Sequence, residues 1–212
     1  MLYIISTPIG NLRDITLRAI DILTYIDILL CEDTRKSGLL LKELGIKNKP
    51  ELVSFYDEVE AQKIPEIIKW LESGKKVGLV SDAGTPLLSD PGWLLLKQCQ
   101  KKGIPYTAVP GTSAVINGLV LSGLPMGRFS YLGFLPKKNG DRRKILEQYK
   151  NIEGSKVVYE SPLRVEKLIE EIKDIYGEKT EIRIIREMTK KFEEVKEDWD
   201  GDTRGEVVVV FI

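Results

Sequence analysis

The 212 residues balance 32 Lys and Arg against 32 Asp and Glu and are 42% hydrophobic. That suits one large domain or two small ones, and zero net charge excludes gripping nucleic acid through bulk charge, leaving a local patch for that task. There is no histidine, and Cys31 and Cys99 are the only cysteines, which excludes Ser-His-Asp and Cys-His triads and zinc sites, so no metal is expected.

The chain alternates strand-like and helix-like segments. Residues 2–6 form a short apolar strand without the basic start of a secretory leader, which predicts a cytoplasmic protein with both cysteines reduced and buried. Ile15, Ala19, Ile22, Leu23 and Ile26 then recur at helical spacing. Residues 27–31 read as a second strand, 37–44 as a helix closed by Gly45, and 51–55 as a third strand. A helix over 61–72 stops at Gly74, and 77–81 is a continuously apolar fourth strand. A helix over 91–102 ends at Gly103, followed by a strand over 106–109 and a small-residue helix over 112–121.

Ser122-Gly123-Leu124-Pro125 breaks the pattern and predicts a boundary between domains 1–122 and 123–212. The second half resumes with strands over 129–134, 156–159 and 181–185, separated by helices over 141–149 and 165–175. Residues 192–199 and 206–212 flank a polar turn and read as an antiparallel hairpin, so the second sheet is expected to be mixed. No run approaches the ~18 apolar residues of a membrane span. The fold class is α/β, in two α/β domains.

In open α/β sheets ligands collect beyond the carboxyl ends of the strands. Those ends here carry Ser6-Thr7-Pro8-Ile9-Gly10-Asn11, then Cys31-Glu32-Asp33-Thr34-Arg35, then Ser81-Asp82-Ala83-Gly84-Thr85-Pro86 with Ser89-Asp90-Pro91-Gly92, then Pro110-Gly111-Thr112-Ser113-Ala114. Turn formation alone accounts for the Gly and Pro but not for the Asp, Thr and Ser beside them. The Walker phosphate loop and the Gly-x-Gly-x-x-Gly dinucleotide fingerprint are both absent.

Together with Gly133-Phe134-Leu135-Pro136, Tyr159-Glu160-Ser161-Pro162 and Arg186-Glu187-Met188-Thr189-Lys190, these loops resemble the tetrapyrrole-methylase-like methyltransferases (class III), in order from residue 3 to the last strand. Within that family the likeness is to members that methylate a cytidine ribose 2′-oxygen in the decoding region of 16S rRNA. The resemblance implies two α/β domains of the tetrapyrrole methylase type with S-adenosylmethionine in a ligand cleft between them, a homodimer, and small-subunit rRNA or the 30S subunit as partner. It assigns donor contacts to Pro8, Ile9 and Gly10, to Asp82, Ala83 and Thr85, and to Ser113 and Ala114. From the second domain it adds Tyr159, Glu160, Arg186, Glu187 and Met188. Where relatives commonly carry a histidine after the Thr-Lys pair, this chain has Phe192.

Methyl transfer to a hydroxyl needs alignment, exclusion of water and loss of a proton. Without histidine the catalytic candidates are Asn11, Glu32, Asp33, Glu160 and Lys190. Each has a plainer reading: turn closure for Asn11, an ion pair with Arg35 for Glu32 and Asp33, helix capping for Glu160, a solvated charge for Lys190. For RNA the candidates are Arg35 and the basic run Lys137, Lys138, Arg142 and Arg143, whose plainer reading is a solvated helix start. A small-molecule, tetrapyrrole-type methylase and a non-catalytic nucleotide- or RNA-binding module remain as alternatives.

Overall fold

The computed structural model describes residues 1–212. It divides into two units, Met1–Ser113 and Ala114–Ile212.

In the first unit β1 (Leu2–Ile5), β2 (Ile28–Cys31), β3 (Glu51–Ser54), β4 (Val77–Leu79) and β5 (Tyr106–Val109) make a parallel sheet in the order β3-β2-β4-β1-β5. The chain winds one way from β1 through β2 to β3, then turns back to β4 and β5. Right-handed crossovers therefore put the connecting helices on opposite faces. Tyr3, Ile5, Leu29 and Cys31 pack against Ala19, Leu23 and Leu41 of α1 (Leu17–Tyr25) and α2 (Thr34–Glu43). Leu2, Ile4, Ile28 and Leu30 pack against Ile67, Leu71, Leu95 and Cys99 of α3 (Asp57–Glu72) and α4 (Trp93–Lys101). Strands covered on both sides have no polar face, which is why they read as unbroken apolar runs. Both cysteines are buried and unpaired.

Local chemistry sets the helix ends. The Thr16 hydroxyl accepts the Ala19 N–H at 3.1 Å and starts α1; Asp33 accepts the Arg35 N–H at 2.8 Å and starts α2. The third helix begins at Asp57, ahead of the expected residue 61. Asp57, Glu58 and Glu60 in its first turn favour the positive end of the helix dipole, although Tyr56 offers no side-chain cap.

The second unit holds α5 (Ala114–Ser122), β6 (Phe129–Phe134), α6 (Asn139–Tyr149), β7 (Ser155–Glu160), α7 (Val165–Tyr176), β8 (Ile182–Arg186), β9 (Glu194–Lys196) and β10 (Val207–Phe211). Its sheet is mixed, in the order β6-β7-β10-β8-β9. One face is covered by α6 and α7 through Leu146, Val165, Leu168 and Ile172. The other receives α5, whose Gly118 lies so close to Val208 that an added Cβ would sit 3.0 Å from its Cγ1.

Two expectations change here. The division between units falls after Ser113, not at 122, because α5 packs on the second sheet. The Ser122-Gly123 break is a local stop, with the Ser122 hydroxyl donating to Leu119 O at 2.7 Å and accepting the Leu124 N–H at 3.1 Å. The terminal hairpin does not form either. Instead β9 folds back on β8, and β10 inserts between β7 and β8, antiparallel to both. The pattern of β10, Val-Val-Val-Val-Phe buried throughout, demands the centre of the sheet, whereas Glu-Val-Lys suits an edge. Since β10 opposes both neighbours, β7 and β8 run parallel, and the carboxyl ends of β6, β7 and β8 share one edge. No helix is long and apolar enough to cross a membrane.

Candidate functional site

In the first unit β4 has β2 on one side and β1 on the other, and these neighbours feed helices on the opposite face from its own. Such switch points open a crevice beyond the strand ends. Hydrogen bonds tie the loops across both. Thr7 and Gly84 exchange backbone bonds of 2.8 and 3.1 Å, which joins the loop after β1 to that after β4. The Glu32 carboxylate accepts the Asp82 N–H at 3.1 Å, which joins the loop after β2 to the same segment. The loop after β5 is drawn in by Thr112, whose hydroxyl donates to Thr7 O at 2.5 Å. Thr85 donates to Thr112 O at 2.8 Å, so the Ser6 hydroxyl, 3.1 Å away, is the donor to Thr85. Ser6, Thr7 and Thr112, part of the strand-end motifs but not among the candidate site residues, hold this clasp together.

The candidate residues divide on their contacts. Pro8 is half-buried, Ile9 buried and Gly10 exposed at the clasp, while Asn11 caps a short 3-10 turn by accepting the Arg13 N–H at 3.0 Å. Asp82 and Ala83 are exposed, and Lys36 reaches the Asp82 carboxylate at 2.6 Å. The Ser113 Oγ, enclosed at the end of the clasp just before Ala114, has no hydrogen-bond partner. Asp33 caps α2 and binds the Arg35 guanidinium at 2.7 and 3.0 Å, which holds its carboxyl well below the usual range. It is a structural anion and a poor base.

The opposite shift occurs next to it. Burial raises Glu32, and burial with Glu32 and Asp82 nearby pushes Asp90 up to about 6, against a hydrogen bond from Ser81 that lowers it. Asp90 lies in the Ser89-Asp90-Pro91-Gly92 motif, but its pKa depends on tertiary neighbours that spacing does not reveal. The buried Glu60 of α3 anchors the same loop by accepting the Gly92 and Leu95 N–H groups at 3.1 and 3.2 Å.

Asp90 makes stability depend on pH. Below about 3.8 the carboxyl is protonated folded or unfolded; between there and about 6 only the folded form holds the proton, so its contribution is lost as pH rises through about 6. The full shift corresponds to ~3 kcal/mol, reduced to about 1 kcal/mol by partial exposure. Asp90→Asn is expected to remove that slope, read as the wild-type-minus-variant unfolding free energy at about pH 4 and about pH 7.5. A pH-independent difference would refute the assignment.

In the second unit the loops at the shared strand edge are equally constrained. Glu160, 2% exposed at the end of β7, accepts through Oε1 from the Ser161 N–H at 2.7 Å and from the Arg164 guanidinium, while Oε2 has no partner. Tyr159 is half-buried against Tyr131 and Phe134, at ring separations of 5.1 and 5.4 Å. Met188 is buried. Glu187 accepts from Lys190 at 2.8 Å and from the Glu206 N–H at 3.1 Å. Burial pulls Lys190 down, but Glu187 and Glu206 outweigh it and raise its pKa, which favours the charged ammonium.

Two arginines are committed to ion pairs. The Arg186 guanidinium is taken up by Glu194 and Asp202, both at 2.5 Å, and ties β9 and the 200–205 segment to β8. Arg142, 1% exposed, forms two bonds of 2.5 and 2.6 Å with Glu171 inside the α6–α7 packing and cannot contact phosphate. Arg143 pairs with Asp174 at 2.6 Å, whereas Lys137 and Lys138 are exposed and outside every ion pair. Arg35 is exposed but bound to Asp33.

Backbone strain marks the same loops. All four non-glycine residues with positive φ lie in them: Leu87 (72°) and Ser89 (69°) after β4, Glu187 (51°) and Thr189 (62°) after β8. Each costs of order 1–3 kcal/mol and persists only where the surroundings enforce it, as at ligand sites.

Comparison with known proteins places this architecture. The sequence pattern of the tetrapyrrole (corrin/porphyrin) methylases matches residues 1–198. The chain is 46% identical over 164 residues to the ribosomal RNA small subunit methyltransferase I of Hydrogenobaculum sp., covering 77% of this chain and 70% of that one. It is 45% identical to the Vibrio cholerae protein of that name, over 78% of this chain, and spans 57% of that relative's length. Among solved structures it resembles the methyltransferase CobJ, with a TM-score of 0.75 at 14% identity over 99% of this chain and 92% of the other. It also resembles uroporphyrin-III-C-methyltransferase from Thermus thermophilus, with a TM-score of 0.66 at 20% identity over 99% and 93%. At such identities these two speak for the fold alone. The chain belongs to the tetrapyrrole (corrin/porphyrin) methylase family.

Proposed function

We propose that the chain is an S-adenosylmethionine-dependent methyltransferase that modifies the ribose 2′-oxygen of a cytidine in the decoding region of small-subunit rRNA, acting in the cytoplasm as a homodimer on rRNA or the 30S subunit. The observation that carries this reading is the 44–46% identity, over 77–78% of this chain, to proteins named for small-subunit rRNA methylation, beside the motif loops after β1, β2, β4 and β5. The particular base and atom rest on the family resemblance of those loops.

The first unit fits the methyl donor. An enclosed Ser113 hydroxyl without a partner is available to a polar group such as a carboxylate or amine, and Asp82 offers an acceptor held in place by Lys36 and by the Glu32 bond to its backbone. Pro8, Ile9, Gly10, Ala83 and Thr85 are the first unit's remaining candidates, and Ala114, Tyr159, Glu160, Glu187 and Met188 are the second unit's. The donor supplies an electrophilic methyl group on a sulfonium. The chain must then orient the acceptor and take up its proton. Asp90 and Glu32, raised by burial, are better matched to that task near neutrality than Asp33 or Lys190.

Tritiated methyl transfer to 30S subunits and to naked rRNA, with mapping of the product, tests the reading. The expected result is label on a single cytidine ribose; no transfer to either would sink it. By calorimetry with S-adenosylhomocysteine, Asp82→Ala should lower affinity about tenfold, the worth of ~1.5 kcal/mol. Unchanged affinity would remove Asp82 from the donor site.

A further inference from the structure

The carboxyl edge of the second sheet combines features that the methyl-transfer chemistry does not use. Phe134 at the end of β6 is 61% exposed, and Phe192, in the turn after β8, is 67% exposed. Leu163, beyond β7, is exposed as well. An isolated exposed apolar residue is ordinary. Here they stand at successive parallel strand ends, beside Lys137, Lys138 and Lys191, all exposed and outside every ion pair.

The backbone is bent to place one of these rings. In a regular strand Tyr131 and Phe134 would point to opposite faces. A register shift between Tyr131 and Gly133 leaves Leu132 without a partner and pairs Tyr131 with Val157 and Phe134 with Tyr159. Val157 and Tyr159 share a face, so the bulge turns Phe134 onto that face too. Gly133, at φ 64°, supplies the left-handed residue this needs. Phe134 then packs edge-on against Tyr159, which packs edge-on against Tyr131, at interplanar angles of 62° and 69°. One side of the ring is braced by neighbours while most of it faces solvent. Phe192 is accompanied by Lys191, whose ammonium lies 5.5 Å from its ring centre. Across the sheet, Phe134 aligns with Tyr159, and Glu160, Val207 and Arg186 form the next row, so the β6 and β8 ends are three strand spacings, roughly 14 Å, apart.

We propose that this edge is a stacking platform for single-stranded RNA, with Phe134 and Phe192 taking unstacked bases and Lys137, Lys138 and Lys191 holding the backbone phosphates. The proposal rests on the rRNA reading above and deepens it. Lysines at the rim give the charge complementarity that a polyanion requires, and rings of this exposure suit a base without a stacking neighbour, which a duplex does not offer.

The test is fluorescence anisotropy with a labelled oligocytidine RNA of about twelve nucleotides and a duplex of equal length. Wild type is expected to prefer the single strand. Phe134→Ala and Phe192→Ala are each expected to weaken binding roughly 5- to 100-fold with the salt slope unchanged, and Phe134→Trp to retain it. Lys137→Gln with Lys138→Gln should instead flatten the salt slope by ~1.4, at ~0.7 for each lost phosphate contact on a single strand. Thermal unfolding of every variant confirms that the fold is kept. Equal affinity of the alanine variants and wild type, or no preference for the single strand, overturns the platform. Methyl transfer to 30S subunits is measured in parallel. Transfer by wild type with indifferent Phe variants rejects the platform and keeps the function; Phe-dependent binding without transfer keeps the platform and rejects the function.

Discussion

Arg142→Ala is expected to lower the unfolding free energy by about 3–5 kcal/mol, a large share of the ~5–15 kcal/mol that holds a domain together. The side chains of Arg142 and Glu171 are 1% and 6% exposed, and two hydrogen bonds join them between α6 and α7. Removing the guanidinium leaves a buried carboxylate stripped of both its hydrogen bonds, with only the more distant Arg143 as counter-charge. The cost comes from that stranded charge more than from the bond itself. Arg142→Met combined with Glu171→Leu should therefore recover most of the loss, because an apolar pair of similar volume needs no compensation. Urea unfolding is the measurement, with the midpoint falling and the slope unchanged in the single variant. A single variant as stable as wild type would show that the pair is not buried in solution. The same experiment separates Arg142 from Lys137 and Lys138, whose removal should leave stability within about 0.5 kcal/mol because they are exposed and unpaired.

That arginine also shows what was legible in the sequence. The run Lys137 to Lys144 looks like a solvated basic patch when charges alone are counted. By helical spacing, Arg142 lies on one stripe with Ile145 and Leu146, and Glu171 on one stripe with Leu168, Ile172 and Ile175. Two opposite charges on the inner faces of two helices announce a buried pair, a signal that charge counting passes over. The central parallel strands of the first unit, β1, β2 and β4, were legible because each is apolar throughout, and the strand-end loops because Asp, Ser and Thr beside glycine exceed what a turn requires. Strand adjacency in the second unit was not, since the order β7-β10-β8 is set by long-range packing, although the unbroken apolar run of β10 already argued against an edge hairpin. The Asp90 shift and the Glu60 cap on α4 depend on neighbours far away in the chain, and no local pattern encodes them.

Gly111→Ala should disable the clasp in the first unit. A Cβ on Gly111 would lie 2.8 Å from the Ser6 Cβ and 3.4 Å from its carbonyl oxygen, distances that require something to move. Ser6 cannot readily give way: it is 5% exposed, its N–H is bonded to Val109 O at 3.2 Å, and its hydroxyl is held by Thr85. The loops after β1 and β5 must therefore part, at about 1–3 kcal/mol. Parting them lengthens the Thr112-to-Thr7 bond and carries Ser113, two residues on, out of position. A displacement of ~1 Å in a binding constellation is enough to cost up to 10²-fold in function. S-adenosylhomocysteine affinity by calorimetry is accordingly expected to fall at least about tenfold, with the overall fold retained by circular dichroism. Gly127→Ala is the control, because a Cβ there meets nothing within 4 Å, and it should change neither affinity nor stability. If Gly111→Ala bound the donor product as tightly as Gly127→Ala does, the clasp would be scaffolding and the donor site would have to be sought in other loops.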